Sequence, residues 1–402
     1  MGDREKILIT RVKRRITTGV HTLITTLFII AISWLLLVVL PNWGTFDPLS
    51  QSFNSFSFTD LYYSLYRNNY NAIPNDRIII VDTSNKTRGE TASVIEELMT
   101  YDPAIVGVDI IFDRPTVDTL GTQQLCETIA RHNNDIVAIA KFTRYDEKSM
   151  QYEGITPSIL DDVASQRAYS NLKNIGEGGF VRNYTIARSV AGDTLYSFAA
   201  RLASQYKMFY GGRAIDKRQQ DGIIDFMPQH FNIINADSLQ EQASEIIGRI
   251  VLVGNVNSEE DYHYTPLGGM NGTIIHAYSI DTLLDKPTHT VSKGWVAILE
   301  ILVLWCFVIL YWYISDFCDT RQYKILLAFA NWAYPAVTAV LVVFVSGWIF
   351  ISSHRYISPL VLMAAMALLP NTVELHIAIK DALPEKIKSL FSKIRNYKKS
   401  NI

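Results

Sequence analysis

"AIVGVDIIFDRP", residues 104–115, gathers Ile105, Val106, Val108, Ile110 and Ile111 into a run with little polar surface on either face. A strand apolar on both sides suits a parallel sheet covered by helices better than an antiparallel sheet with one wet face. Asp109 stands inside the run and Asp113 just beyond it. Strands of the same kind recur at 77–82, 135–140 and 250–254, and helical patterns fill 91–100, 120–132 and 197–207. This alternation predicts an α/β domain with a mainly parallel sheet covered by helices on both faces. The stretches 184–190 and 222–226 alternate less cleanly and are expected as edge strands, with antiparallel pairing open.

Three of the strands finish on a polar residue: "IIIVD" on Asp82, "IVGVD" on Asp109 and "IVLVGN" on Asn255. In open parallel sheets ligands bind outside the carboxyl ends of the strands. Two acids there, expected side by side, could hold a cation or a polar ligand, or could cap the following loops and helices.

The domain lies between apolar runs. Residues 20–40 carry no ionised side chain apart from a possible His21, and at about 1.5 Å per residue they cover a hydrocarbon core of about 30 Å. Further runs occupy 295–314, broken only by Glu300, and 325–350, interrupted by Asn331 and Pro335. A weaker one at 357–378 contains Pro370, Asn371, Glu374 and His376. The first run is too long for a signal peptide and meets Pro41-Asn42-Trp43 instead of a small-residue cleavage site, so it is expected to be an anchor.

Basic residues crowd both ends, from Arg4 to Arg15 and from Lys380 to Lys399, and the positive-inside rule then places both termini in the cytoplasm. An even number of spans is required, which argues for 357–378 as a fourth. The expected order is a basic cytoplasmic segment at 1–19, a span at 20–40, an exported domain at 42–292, spans at 295–314, 325–350 and 357–378, and a cytoplasmic tail at 380–402. In that tail Ile387, Leu390, Ile394 and Tyr397 repeat at helical spacing opposite lysines, a pattern suited to anionic lipid or a partner helix.

Of three cysteines only Cys126 lies in the exported part, which therefore has no internal disulfide and, at about 250 residues, needs none. A net charge of −2 argues against a nucleic-acid partner.

Seven pieces in order resemble the CHASE2 domain, an extracytoplasmic sensory module of bacterial receptors: "DRIIIVD" (76–82), "GVDIIF" (107–112), "GGFVRN" (178–183), "YSFAARLA" (196–203), "INADSL" (234–239), "GRIVLVGN" (248–255) and "YTPLGGMNGTIIHAYSIDTLL" (264–284). The resemblance departs after the first strand, where the family commonly has a Trp- and Pro-rich stretch and this chain has "TSNKTRGE". It implies a sensory or ligand-binding role outside a bacterial inner membrane, with the domain in the periplasm. Such domains are usually fused to an output domain. Here about two dozen residues follow the last apolar run, so the chain is expected to relay to a separate membrane or cytoplasmic protein. The other reading is a structural or docking subunit of an envelope complex with no small ligand.

The family pattern also contains the Gly-x-Val-Arg that ends on Arg182, whose guanidinium could pair with the edge acids or clamp an anion. Asp82, Asp109, Phe112, Arg182 and Asn255 are the candidate ligand-binding set, expected to converge in one cleft with Phe112 as a wall. Asp109 is expected to be the structural acid and Asp82 the binding one. Glu300 is the candidate intramembrane polar residue, with His354 and Arg355 as its expected partners.

"EEDYHYTP" (259–266) holds three carboxylates and His263 but lacks the ligand spacing of a zinc or calcium site, and reads as a solvated loop. "GEGGF" (176–180) reads as a tight turn, and His276 as a packed neutral histidine opening an amphipathic helix. No GxSxG, HExxH, CxxC or P-loop is present, so neither a cofactor nor a catalytic activity is expected. Partners are expected to be the bilayer and a separate protein, with a small ligand of unspecified chemistry and self-association left open.

Overall fold

The computed structural model describes residues 3–39, 57–67, 71–113, 117–146, 151–172, 180–190, 192–285, 289–290, 293–376 and 378. The chain divides into two units, one of Met1–Ser50 with Val291–Ile402 and the other Gln51–Thr290. The first opens with helix α1 (Asp3–Trp34), continued by a π-helical stretch at Leu35–Val39.

The second unit begins with α2 (Phe58–Arg67), β1 (Ile73–Asp82), α3 (Arg88–Met99), β2 (Ile105–Asp109), α4 (Thr119–Arg131) and β3 (Ile136–Ala140). Short strands follow: β4 (Phe142–Asp146), β5 (Gln151–Ile155), β6 (Arg167–Tyr169), β7 (Asn183–Tyr184), β8 (Ala187–Val190) and β9 (Asp193–Tyr196). The unit closes with α5 (Phe198–Phe209), β10 (Gly222–Ile223), β11 (Gln229–Asn235), α6 (Ala243–Ile246), β12 (Ile250–Gly254), β13 (Tyr262–Thr265), β14 (Gly268–Asn271) and α7 (Gly272–Asp285).

Six strands form the main sheet in the order β11-β1-β12-β2-β3-β6, and every pair in it is parallel. The apolar runs become its centre because side chains alternate between faces and both sides must be dry. Ile79, Val81, Val106, Val108, Val251 and Val253 pack with Val94, Ile95 and Leu98 of α3 and with Leu125 and Ile129 of α4. Ile78, Ile80 and Leu252, of the opposite parity, are also fully buried. At Gly107 a Cβ would lie 2.7 Å from Phe198 and 2.6 Å from Leu202, so a glycine in β2 lets α5 close onto the sheet.

Three helix starts are fixed by side chains that satisfy otherwise orphaned N–H groups. Thr87 and Glu90 form a capping box at α3, the Asp118 carboxylate accepts from Gly121 N at 2.8 Å, and Ser197 Oγ accepts from Ala200 N at 3.2 Å. The capping box starts α3 three residues ahead of the sequence expectation, and its Thr-x-x-Glu signature was legible.

Two features differ from expectation. Residues 184–190 and 222–226 do not edge the main sheet: β7 pairs antiparallel with β10 in one small sheet, while β8 joins β4, β5 and β9 in another. The actual edge strands are β11 and β6, and the register of β11 with β1 shifts between Pro74 and Ile79, where proline cannot donate to the ladder.

The first unit contributes α8 (Lys293–Thr320), α9 (Lys324–Ser353) and α10 (Leu360–His376). Three helical segments are long and apolar enough to cross a membrane: Gly19–Leu37, Gly294–Cys318 and Lys324–Ser353. The 17 residues of α10 reach about 25 Å, short of a hydrocarbon core of about 30 Å. Ile29 packs with Leu304, Val308, Tyr311, Val342, Met366 and Leu369, while Trp295, Ile325, Phe344 and Trp348 stay exposed. Polar contacts join the helices: Trp305 Nε1 donates to Thr22 Oγ1 at 3.1 Å, and Asn331 Nδ2 to Glu374 Oε1 at 2.6 Å.

Candidate functional site at the carboxyl edge of the sheet

Asp82 and Asp109 end their strands in the same row, but they are not neighbours. Asp82 is paired in register with Gly254, and Gly254 with Asp109, so β12 stands between them. Two strand spacings put their backbones about 10 Å apart. The sequence could not reveal this insertion, because β12 comes more than 140 residues after β2.

Gly254 is what brings a helix to Asp109. A Cβ there would meet Thr273 Oγ1 at 2.6 Å, and in its absence the Thr273 hydroxyl donates to Asp109 Oδ2 at 2.8 Å. Asn271 holds that helix start in place, accepting from Thr273 N at 3.0 Å and donating to the Asn255 carbonyl at 3.0 Å. His276, one turn along α7, is buried with its ring edge-on to Phe198 at 5.2 Å. Burial pushes the Asp109 carboxyl above its ordinary value, opposed by His276 and by the Thr273 hydrogen bond and reinforced by Asp261. The packed histidine was anticipated. Asn271 and Thr273 were missed, although an Asn just ahead of an apolar helical run is an N-cap signal.

Asp82 has a different environment. Its carboxylate accepts from Ser84 N at 3.0 Å, from Ser84 Oγ, from Asn257 Nδ2 at 2.7 Å and from Val256 N at 3.4 Å. It thereby ties the loop after β1 to the loop after β12. The expected division, with Asp82 free for binding and Asp109 committed to structure, is reversed in the hydrogen bonding.

The expected single cleft is not assembled around Arg182. Its Nε donates to Asp60 Oδ1 at 2.8 Å and its Nη2 to Asp60 Oδ2 at 2.6 Å, a forked pair that secures α2, and its guanidinium lies 4.8 Å from the Phe180 ring centre. Arg182 does pair with an acid, but with Asp60 of α2, which no motif in the sequence marks. Tyr63, also on α2, donates to the Ile224 carbonyl at 2.9 Å and is buried. Phe112 belongs to the core packed by α3 and α4, with the Arg88 guanidinium 5.7 Å from its ring centre. Asn255 spends its side-chain oxygen on Asn257 N at 3.2 Å.

Glu300 lies on α8 and is partly buried. Residues 259–266 make a short 3-10 turn and the hairpin strand β13, with His263 Nε2 3.2 Å from Asp261 Oδ1. No group of three or more His, Cys, Asp or Glu suited to a metal occurs among the described residues. The turn expected at 176–180 lies mostly, and the tail at 380–402 wholly, outside the described residues.

Chemically, the edge offers a carboxyl raised by burial, a hydroxyl already bound to it and an imidazole close by, a set suited to hydrogen-bonding a polar group or exchanging a proton with it. The searches of curated proteins and of solved structures gave no match. The family described as "CHASE2 domain" matches residues 29–311, which include β1, β2, β12 and α7 together with parts of the flanking apolar helices α1 and α8. That match takes in well over half of the chain, and on it the chain belongs to the CHASE2 family.

Proposed function

We propose that this chain is a membrane-anchored sensor whose exported domain binds a small ligand and relays its state, through the membrane helices, to a separate protein. One observation carries the reading. Helix α7 meets the functional edge at one end, through Thr273 and Asp109. At its other end Arg77 grips Asp281 at 2.7 Å and Asp285 at 2.5 Å, and α8 begins eight residues later, at Lys293. A change of charge or hydrogen bonding at Asp109 therefore acts on the helix that leads into the second apolar run.

The accompanying topology has four spans with α10 as the fourth, both termini in the cytoplasm of a bacterial cell and residues 42–292 in the periplasm. Helices α3 and α4 on one side of the sheet and α5 and α7 on the other would then shield both faces. We take the role to be binding without catalysis. Native mass spectrometry of the full chain from its own membranes, with an inventory of co-purifying proteins, tests the reading. A bound small molecule together with a signalling partner is the expected result. An empty domain that co-purifies with envelope subunits would make it a docking platform instead. Reporter fusions after Lys399 test the topology, and activity there as an external reporter would remove the fourth span.

A further inference from the structure

Away from the Asp109 edge, α5, β6, β9 and the loop at 213–219 surround a cavity of about 320 Å³ lined by Ser165, Arg167, Thr194, Tyr196, Arg201 and Lys217. Leu195 completes the lining, and three of the seven side chains are cationic. The Arg201 guanidinium lies 5.7 Å from the Tyr196 ring centre and the Lys217 ammonium 5.1 Å from the same centre, so two like charges share one aromatic ring. Neither pairs with a carboxylate among the described residues: Lys217 Nζ donates to the Thr194 carbonyl at 2.7 Å, and Arg201 Nε is buried with no acceptor at all. Burial lowers Arg201 from its ordinary value, and the only group opposing that is Tyr196.

Two acids nearby are already engaged. Asp161 holds Arg167 at 2.8 Å, and Asp216 holds Arg218 at 3.2 Å on the exposed side of the loop. The cavity thus carries an excess of about two positive charges, in a chain whose net charge is −2. Gathering uncompensated cations around a recess is costly unless an anion completes the set.

We infer that this cavity is a binding site for a small, doubly charged oxyanion, a phosphate monoester or a dicarboxylate, held by Arg201 and Lys217. The guanidinium supplies a planar fork matched to two oxygens, and the ammonium a point charge opposite it. The inference goes beyond the sensory reading, which does not require this pocket.

The test uses the full chain in detergent, with inorganic phosphate and succinate as separate probes in isothermal titration. At least one should bind with a dissociation constant below about 1 mM, and more weakly as salt is raised. Arg201→Met should weaken that binding about tenfold or more, and Lys217→Met, an exposed position, about three- to tenfold. Arg201→Lys should recover part of the loss because it restores charge without the fork. Arg218→Met, on the same loop but paired outside the cavity, should change nothing. Should Arg201→Met fail to fold, Lys217→Met and the salt dependence still decide the matter. Absence of binding by both probes up to about 10 mM, or affinities that Arg201→Met and Lys217→Met both leave intact, overturns the site. Probe binding lost with those variants, in a chain that shows no relay to any partner, would uphold the pocket while removing the sensory reading.

Discussion

Asp82 and Asp109 end two strands of one sheet in one row, flanking Gly254, and their environments are opposite. Asp82 receives hydrogen bonds from four donors in two loops, whereas Asp109 receives one, from Thr273, inside a drier setting. The strand sets where a carboxylate stands. The loops that arrive beside it decide whether it is saturated or left able to respond. Asp82 is followed by Ser84 and lies against the turn that supplies Val256 and Asn257, so donors surround it. Asp109 is followed by Ile110 and Ile111, which bring no polar side chain, and only the small Gly254 lets a helix reach it.

The largest test concerns the arginine expected to serve both acids. Arg182 is almost fully buried against Asp60, and removing one partner of such a pair leaves an uncompensated charge. Arg182→Met is expected to destabilise the unit Gln51–Thr290 by about 3 kcal/mol and to leave the pH response assigned below to Asp109 unchanged. Altered pH dependence in this variant would mean that Arg182 reaches the edge after all. None of the seven tryptophans lies between residues 51 and 290, so unfolding of this unit is better followed by pulse proteolysis in urea than by tryptophan fluorescence.

Gly254→Ala comes next. The added methyl would press on Thr273 at 2.6 Å and 3.1 Å, forcing α7 away or turning the threonine out of reach of Asp109. Overpacking at such a site costs about 2 kcal/mol. The Asp82 side should keep its hydrogen bonds, so protection of the Val256 and Asn257 amides against exchange should survive while that of Thr273 falls. Loss of protection at both would show the two acids to be one coupled network. Asp82→Ala should cost about 1 kcal/mol, the usual loss for a side chain that caps backbone N–H groups. No measurable loss would mean that its four contacts contribute nothing.

Much of the fold was legible because burial on two faces leaves a pattern in one dimension. The runs at 77–82, 105–110, 135–140 and 250–254 all became strands of the main sheet, and the polar residues at 82 and 109 fell on its carboxyl edge. What escaped was set by contacts between distant segments. β11 reads weakly because it lies on an edge and buries only Phe231 and Ile234, which are three residues apart and so out of step with a strand's alternation. The neighbour of β1 and β2 is β12, which no local signal announces. The partner of Arg182 sits 122 residues away on a helix whose acid looks like any surface aspartate. The Asp109 site is legible only in retrospect, through Asn271 as a cap and Gly254 as the residue that admits Thr273.

Asp109→Asn gives the smallest effect, and its pH dependence is the sharpest check on the comparison. A carboxyl raised by burial binds its proton more tightly in the folded chain than in the unfolded one, so its effect on stability is most favourable below the ordinary value of 3.8 and is lost as pH rises through the higher folded value. An asparagine keeps an acceptor for the Thr273 hydroxyl and carries no charge to desolvate. The variant should therefore be no more stable than the parent at or below the ordinary carboxyl value, and more stable above the folded one. Because part of Asp109 remains open to solvent, the gain at neutral pH is expected to be only about 0.5–1 kcal/mol. Asp82→Asn, which keeps one acceptor but replaces the other with a donor facing donors, should lose stability over the same range. Urea unfolding of both variants across the acid range decides between them. If Asp109→Asn loses stability at neutral pH and Asp82→Asn does not, the charge that holds this sheet edge together belongs to Asp109, and the responsive carboxylate has to be sought on the Asp82 side of Gly254.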